Sequence, residues 1–331
     1  MKYLITIFLL LLLVSCGSTN NIDTNENEDA YKIVTTTFAS YDWVKELTKN
    51  YDGNIEINYL LDNGIDLHSF QPTVDDVVEI NECDLFIYTG GESEAWAMDI
   101  INNEGSNDSR IELNLLDIIG ENALDEEIVE GMEADHEDEH NEEAHNEEAH
   151  NEDVKDEHIW LSLKNAEIVI TELCEIFKEY DASNEKLFNE NLTAYINELN
   201  ILDEKYETMV NNSKNDTLIF GDRFPFRYLV EDYDLNYYAA FVGCSAETEA
   251  SFETVIFLAE KLNELNINYI LTVDEGEKKL AKTIVNSSNN SECELLNLNS
   301  MQNIVSLDLN SDISYLNIME NNYSVIEKAL N

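Results

Sequence analysis

Short apolar runs alternate with amphipathic stretches through the first third of the chain. Each run is four to seven residues long, as is typical of buried strands, and the stretches between them have helical spacing. The predicted strands are residues 31–37, 55–61 and 84–88, and the predicted helices are residues 40–50, 74–81 and 94–103. Strands that alternate with helices indicate a parallel α/β sheet.

The same alternation returns after a long amphipathic segment in the middle of the chain. Apolar residues recur at helical spacing from about residue 184 to 209, which predicts one continuous helix. Strand-like and helix-like segments then alternate to the C-terminus. The sequence therefore predicts an α/β fold of two lobes with central parallel sheets, joined by a long helix. The predicted divisions are residues 31–183 for the first lobe, 184–210 for the linking helix and 211–331 for the second lobe.

The first thirty residues have a different pattern. One lysine precedes the run YLITIFLLLLLV, which is too short for a stable membrane span and is typical of a signal peptide over residues 1–15. The following LVSC resembles the lipobox of bacterial lipoproteins, in which the cysteine, here Cys16, is lipidated after cleavage. Residues 16–30 are polar and predict a flexible tether. We therefore expect an extracytoplasmic protein on the bacterial cell surface, held to the membrane by a lipid anchor alone.

The large negative charge of the chain limits which partners it can bind. The chain has 70 Asp and Glu against 18 Lys and Arg, for a formal net charge of −52. Nucleic acid is excluded as a natural partner, because phosphate contacts need clustered basic residues. An acidic surface instead concentrates cations around the protein.

Four cysteines remain beyond Cys16. None of them forms a CxxC pair, so there is no cysteine-type zinc signature. Cys83 and Cys174 stand in apolar contexts and are predicted to be buried thiols. An exported protein can pair its cysteines, and the disulfide state of Cys83, Cys174, Cys244 and Cys293 stays open.

Histidine is concentrated in one acidic segment. Five of the six histidines lie between residues 135 and 160, in the near-repeat HNEEAHNEEAH and the sequence after it. The segment from 121 to 157 lacks apolar periodicity across its middle, so it is predicted to be a loop that is disordered without metal. Imidazoles among carboxylates suit divalent transition metals.

Five segments in order resemble the zinc/manganese-type substrate-binding lipoproteins of ABC metal importers (cluster A-I). They are DLHSFQPTVDDVVEINECDLFIYTGG, EHIWLSLKNAEIVITEL, NENLTAYINELNILDEKY, GCSAETEASFETV and YLNIMENNYSVIEKAL. The resemblance runs from residue 31 to 331. It implies two α/β lobes bridged by one rigid helix, with a metal site in the cleft between them.

The resemblance also implies metal ligands. His68 and His158 match the first two family ligands. The other four histidines correspond to the His-rich loop of zinc-type members, where exposed imidazoles would capture metal weakly; they are His136, His140, His145 and His150. Since manganese-type members usually lack this loop, Zn²⁺ is the expected metal and Mn²⁺ the alternative.

The third and fourth ligands are less regular. The family motif HxAFxYL is replaced here by FGDRFPFRYL, and direct counting places Arg223 in the ligand position. Arginine stays protonated and cannot bind a cation, so one extra residue near the proline would make Asp222 the third ligand. For the fourth position the resemblance gives Asp312 in SDISYL, one residue out of register. Asp274, Glu275 or water are the alternatives.

The resemblance implies a binding protein and not an enzyme. It predicts a monomer that captures a divalent transition metal and delivers it to an ABC permease with its ATPase. Manganese- or iron-type binding and adhesion are the alternatives within the same fold. A zinc hydrolase is the alternative outside it, and the chain has no HExxH, GxSxG or Gly-rich phosphate loop.

Overall fold

The computed structural model describes residues 30–102, 109–133, 154–245, 250–274, 278–290, 292–305, 309 and 313–331. The chain from Tyr31 to Asn331 forms one compact unit. No helix among these described residues is long and apolar enough to cross a membrane.

A four-stranded parallel sheet is built from the first part of the chain. Its strands are β1 (Tyr31–Thr35), β2 (Ile55–Tyr59), β3 (Leu85–Tyr88) and β4 (Ile111–Asn114). The order is β2-β1-β3-β4, so β1 is central, with Ile33 opposite Ile57 on one side and Leu85 on the other. All four residues of β3 are buried, as expected for a strand covered on both faces of the sheet.

Helices follow these strands, and the first three lie where the sequence predicts them. They are α1 (Phe38–Leu47), α2 (Val74–Glu82), α3 (Ala95–Ile101), α4 (Leu115–Ile119) and α5 (Leu163–Tyr180). Local sequence sets their starts: the Thr37 side chain caps α1, and Thr73 and Asp76 form a reciprocal capping box on α2. Strand β4 and helix α4 are absent from the sequence-based prediction, because both are too short to show a period.

Helix α6 (Glu185–Asn212) is the long helix that the sequence predicts. At 1.5 Å per residue its 28 residues span about 42 Å. Its buried side chains follow one stripe: Phe188, Tyr195, Leu199, Leu202, Tyr206 and Met209. Tyr206 stacks on Tyr233 at 4.9 Å between ring centroids, and its hydroxyl donates to the Met319 carbonyl at 2.7 Å. The helix is thereby fixed to the last part of the chain.

Short parallel strand pairs follow α6. The elements are β5 (Thr217–Ile219), β6 (Arg223–Phe224), α7 (Arg227–Asp232), β7 (Asn236–Tyr238), β8 (Phe241–Val242), α8 (Phe252–Glu264), β9 (Tyr269–Val273), α9 (Lys279–Ser287), β10 (Glu294–Leu298) and α10 (Tyr315–Leu330). The pairs are β5 with β7, β6 with β8 and β9 with β10. The predicted α/β class with parallel sheets and a long helix is confirmed. The apolar run at residues 235–242 is divided at Ala239 and Ala240 into β7 and β8.

The acidic segment has backbone pairing at both of its described ends, within the range predicted to be a disordered loop. Asp125 forms an antiparallel bridge with Lys155, and Glu133 forms a parallel bridge with Phe241. The Leu124 amide donates to the Tyr228 hydroxyl at 3.2 Å. Backbone pairing therefore orders residues 121–133 and 154–157, although their sequence lacks apolar periodicity. Residues 134–153 lie outside the described part of the chain.

Polar contacts of buried aromatic residues tie distant segments together near residue 160. The Trp160 indole N–H donates to the Ser300 carbonyl at 2.8 Å, and the Tyr315 hydroxyl donates to the Trp160 carbonyl at 2.7 Å. Both rings are almost fully buried. Buried polar groups of this kind cost free energy unless paired, so these bonds fix the register between the segments.

A buried carboxylate on α1 predicts a pH dependence of stability. Asp42 is 2% exposed and accepts a hydrogen bond from the Tyr315 amide at 2.9 Å. Burial raises the pKa of Asp42 to about 6. Because the folded state holds this proton more tightly than the unfolded state, the contribution of Asp42 to stability falls as the pH rises from about 4 to 6.

The substitution Asp42→Asn should remove this cost while keeping an acceptor for Tyr315. We expect the variant to be stabilised relative to wild type. The difference in the free energy of unfolding, variant minus wild type, should be about 2–3 kcal/mol larger at pH 7.5 than at pH 4. Urea titrations at the two pH values measure this difference. Asp52→Asn at an exposed position is the matched loss of charge, and an equal difference in both variants would contradict the prediction.

Candidate metal centre

His68 lies in a single helical turn, Leu67–Ser69, that follows β2. The Asp66 carboxylate caps this turn by accepting from the His68 amide at 3.0 Å. Asp66 also forms an ion pair with Arg223 on β6. Burial alone would raise the pKa of Asp66, but the Arg223 guanidinium lowers it below its usual value. Arg223 therefore stabilises the turn that carries His68 through its ion pair with Asp66.

His158 is held from both sides and is completely buried. Asp156 accepts two hydrogen bonds from it, one from the backbone amide at 2.9 Å and one at Nδ1 at 3.0 Å. The Tyr228 hydroxyl donates to the Asp156 carbonyl at 2.8 Å, and Trp160 packs edge-on against the imidazole ring. These contacts leave Nε2 of His158 as its available ring nitrogen.

The two imidazoles face each other through Nε2. Their Nε2 atoms are 3.2 Å apart, although 90 residues separate them in sequence. Zinc–nitrogen bonds of 2.0–2.1 Å in a tetrahedral arrangement would place two such nitrogens about 3.3 Å apart. The observed spacing is therefore compatible with two ligands of one tetrahedral ion.

Each imidazole has oxygen neighbours at Nδ1. His68 Nδ1 is 2.6 Å from the Ser93 hydroxyl and 3.7 Å from Glu157 Oε2, and Nδ1 of His158 contacts Asp156. Oxygen partners at Nδ1 keep the proton there and leave the Nε2 lone pair free. Burial, with His158 close by, lowers the pKa of His68 to about 3. His68 is thus a neutral imidazole at neutral pH.

The Gln302 amide lies between the two imidazoles. Its Nε2 is 3.1 Å from Nε2 of His68 and 3.2 Å from Nε2 of His158, and the residue is 3% exposed. An amide NH₂ has two hydrogens, so it can donate one to each lone pair. This pairing satisfies two buried acceptors that would otherwise face each other. A metal ion bound at both Nε2 atoms would displace it.

A cysteine joins the same group. The possible ligand atoms of His68, His158 and Cys244 all lie within 4.8 Å of one another. Cys244 is in the turn after β8, and its neighbour Gly243 allows the close approach. A Cβ at Gly243 would stand 2.9 Å from Cε1 of His158 and 2.9 Å from the Phe224 carbonyl. Burial and nearby carboxylates raise the pKa of the Cys244 thiol.

Buried carboxylates surround the paired imidazoles. Glu157 Oε1 accepts from the Ser93 amide at 2.8 Å, whereas its Oε2 is buried without a hydrogen-bond partner. Glu94 accepts from the Gly90 amide at 2.9 Å, and burial raises its pKa to about 7. A buried carboxylate without a positive partner is costly, so a cation at the imidazoles would stabilise this environment.

The candidate carboxylate ligands occupy other positions. Asp222 accepts from the backbone amides of Arg223 at 2.9 Å and Val273 at 3.1 Å, using both its oxygens. Asp274 accepts from the amide and hydroxyl of Ser300 and from the Asn303 side chain. Neither belongs to the group formed by the two histidines and Cys244.

The remaining predicted metal-binding residues lie outside the described residues. They are Asp312, the alternative Glu275 and the loop histidines His136, His140, His145 and His150. Their roles stay predictions, and so does the lipidation of Cys16, which also lies outside the described part. The structure brings His68 and His158 together, and Asp222 and Asp274 do not join them.

The sequence-based reasoning overlooked Cys244 and Gln302. Cys244 lacks a second cysteine nearby in sequence, so it carries no metal-site spacing. A usable signal was the Gly-Cys pair directly after a short apolar strand, because loops after parallel strands share one sheet edge. Gln302 has no comparable signal, since glutamine in a polar loop is ordinary.

Comparison with solved structures identifies the fold. Its fold is that of the Zn(II)-bound ZnuA-like domain of AdcA from Streptococcus pneumoniae, with a TM-score of 0.68 and 20% identity over 91% of this chain and 99% of that one. The chain therefore has the fold of that ZnuA-like domain.

The family follows from the sequence match. The family described as ZnuA, zinc-uptake complex component A, periplasmic, matches residues 33–329, and the chain belongs to it. A high-affinity zinc uptake system protein ZnuA of Bacillus subtilis is 26% identical over 97% of this chain and 94% of that protein. A zinc-binding lipoprotein AdcA of Streptococcus pneumoniae is 24% identical over 96% of this chain, which spans only 58% of that relative.

The position of Gln302 predicts an effect on zinc affinity. Since its amide stabilises the metal-free pair of imidazoles, Gln302→Ala should bind Zn²⁺ more tightly, by roughly 5- to 30-fold for one or two lost hydrogen bonds. Competition with a zinc chelator measures this. Asn303→Ala removes the adjacent amide, which contacts Asp274, and should leave affinity unchanged. Weaker binding by the Gln302 variant would show instead that its amide oxygen coordinates the ion.

Proposed function

We propose that this chain captures one Zn²⁺ between Nε2 of His68 and Nε2 of His158 and delivers it to an ABC permease for import. The observation that carries the proposal is the 3.2 Å separation of the two nitrogens in a buried site. Both imidazoles are oriented by oxygen partners at Nδ1. The ion is cargo: it is bound and released unchanged.

The function is binding and not catalysis. The family is a zinc-uptake component, a role that needs no reaction at the metal. A hydrolytic zinc would need an open coordination position with a general base beside it. At this site the carboxylates nearest to the imidazoles, Asp156 and Glu157, contact their Nδ1 atoms, on the opposite side from Nε2. They orient ligands instead of facing a substrate.

Zinc is favoured over the alternatives of the same fold. The relative from Bacillus subtilis is named for zinc uptake and that from Streptococcus pneumoniae for zinc binding. Imidazole and thiol donors also suit zinc, whereas manganese prefers oxygen-rich sites. Manganese- or iron-type binding and adhesion are therefore not favoured.

The protein is an extracytoplasmic component, since its family is described as periplasmic. We propose further that Cys16 carries a lipid anchor, that the protein acts as a monomer, and that its partners are the permease and ATPase of an importer. A relative named as a lipoprotein supports the anchor. The division into residues 31–183, 184–210 and 211–331 likewise stays a proposal, supported by the position of α6.

The loop histidines are proposed to collect metal before it reaches the buried site. The chain leaves the described part at Glu133 and returns at Val154, a few residues before His158. The segment that carries the loop histidines therefore rejoins the described chain four residues before His158. Weak binding to several imidazoles and carboxylates would raise the local concentration of Zn²⁺ there.

Removal of His68 should abolish tight zinc binding. We expect His68→Ala to weaken Zn²⁺ affinity by at least about 100-fold, because a ligand contributes more than the 10- to 100-fold of an outer-shell partner. Isothermal calorimetry with a competing chelator measures the loss. His145→Ala is the matched control, and it should keep the wild-type affinity. Equal affinity in His68→Ala and wild type would refute the proposed site.

Removal of the loop should leave tight binding in place. Replacing residues 136–150 by a short Gly-Ser linker keeps every described residue and deletes the four loop histidines. We expect one Zn²⁺ to bind with an affinity within about threefold of wild type, while additional weak binding disappears. Equilibrium dialysis over a range of Zn²⁺ concentrations separates the two. Loss of the tight ion would show that loop residues belong to the site.

A further inference from the structure

We infer that Cys244 is the third ligand of the metal, so that the ion is held by two imidazoles and one thiolate. This inference rests on the proposed function and names the donor that completes its site. The possible ligand atoms of Cys244, His68 and His158 are grouped within 4.8 Å. Tetrahedral zinc with bonds of about 2.3 Å to sulfur and 2.0–2.1 Å to nitrogen needs sulfur–nitrogen separations of ~3.6 Å. A shift of the thiol by roughly an ångström would satisfy this.

The strand pairing explains how a cysteine could reach the position. Strands β6 and β8 are parallel neighbours, with Phe224 opposite Val242. Parallel strands end at the same edge of their sheet, so the turn after β8 lies beside the segment that follows β6. Cys244 is two residues past Val242. A metal ligand in the turn after β8 can therefore reach the same ion as a metal ligand near β6.

The residues near β6 are already engaged. Arg223 is paired with Asp66, and both oxygens of Asp222 accept backbone hydrogen bonds. Turning Asp222 toward the imidazoles would break both of those bonds and leave the Val273 and Arg223 amides without these acceptors. Cys244 needs no such exchange of backbone hydrogen bonds in the arrangement described here.

A second observation points to a cation at His68. Glu157 is 2% exposed, and its Oε2, 3.7 Å from Nδ1 of His68, accepts no hydrogen bond. A buried carboxylate oxygen without a donor is costly. Zn²⁺ on His68 would polarise the ring and strengthen the attraction of its Nδ1–H for this oxygen. When Zn²⁺ binds, a zinc–sulfur bond forms, and the thiol proton leaves to solvent.

Cobalt substitution tests the inference directly. Co²⁺ bound to a thiolate gives a near-ultraviolet sulfur-to-metal charge-transfer band, which imidazole and carboxylate ligands do not produce. The full chain loaded with Co²⁺ should show this band. Cys244→Ala should lose it, while Cys293→Ala, which removes a buried thiol outside the group, should keep it.

Zinc affinity supplies the second measurement. Cys244→Ala should bind Zn²⁺ at least about 100-fold more weakly than wild type. Cys244→Asp should recover most of that loss without recovering the band, because a carboxylate can replace the donor but not the sulfur. Circular dichroism confirms that each variant is folded, and the aspartate variant keeps the test valid if the alanine variant does not fold.

The possible outcomes distinguish a failure of Cys244 as a ligand from a failure of the proposed function. Tight Zn²⁺ binding by wild type without a charge-transfer band would overturn Cys244 as a ligand and leave the proposed function standing. Absence of tight Zn²⁺ binding by wild type would overturn the proposed function itself. If Asp222→Asn, and not Cys244→Ala, lost affinity, the third ligand would be the aspartate and the inference would be wrong.

Discussion

The rest of the site depends on one constraint: two imidazoles are buried with their Nε2 atoms 3.2 Å apart. Such an arrangement is unfavourable unless something positive or proton-donating lies between them. Here the Gln302 amide has that role, at 3.1 Å and 3.2 Å from the two nitrogens. A divalent cation can take its place, since the spacing of the nitrogens already fits tetrahedral coordination. Preorganisation of this kind reduces the free-energy cost of rearranging the site when the cation binds.

The surrounding fold keeps those rings in position. Asp156 orients His158 and is itself anchored by Tyr228, whereas His68 sits on a turn capped by Asp66, which Arg223 holds. The supporting groups come from several separate segments of the chain. Small local changes in any of them would move an imidazole without touching the metal, so the supporting contacts matter as much as the ligands.

Much of this was predictable from the sequence. The alternation of strands and helices indicated the α/β class, and the apolar stripe of α6 indicated its length to within a few residues. His68 and His158 were predicted because they match the first two ligands of the family that the sequence resembles. Cys244 and the Gln302 amide could not be found that way. They reach the site through the register of two-residue strands and through loop conformation, which leave no periodic trace in sequence.

The sequence separation of the grouped side chains has a consequence for how the protein matures. His68 and His158 are 90 residues apart, and Gln302 is 144 residues beyond His158. Closing loops of that size comes late, after local helices and neighbouring strands have formed. The ion therefore cannot template the early steps of folding. Zinc binding can only slow the unfolding of the folded protein. The supply of zinc should therefore affect the lifetime of the folded protein more than its rate of folding.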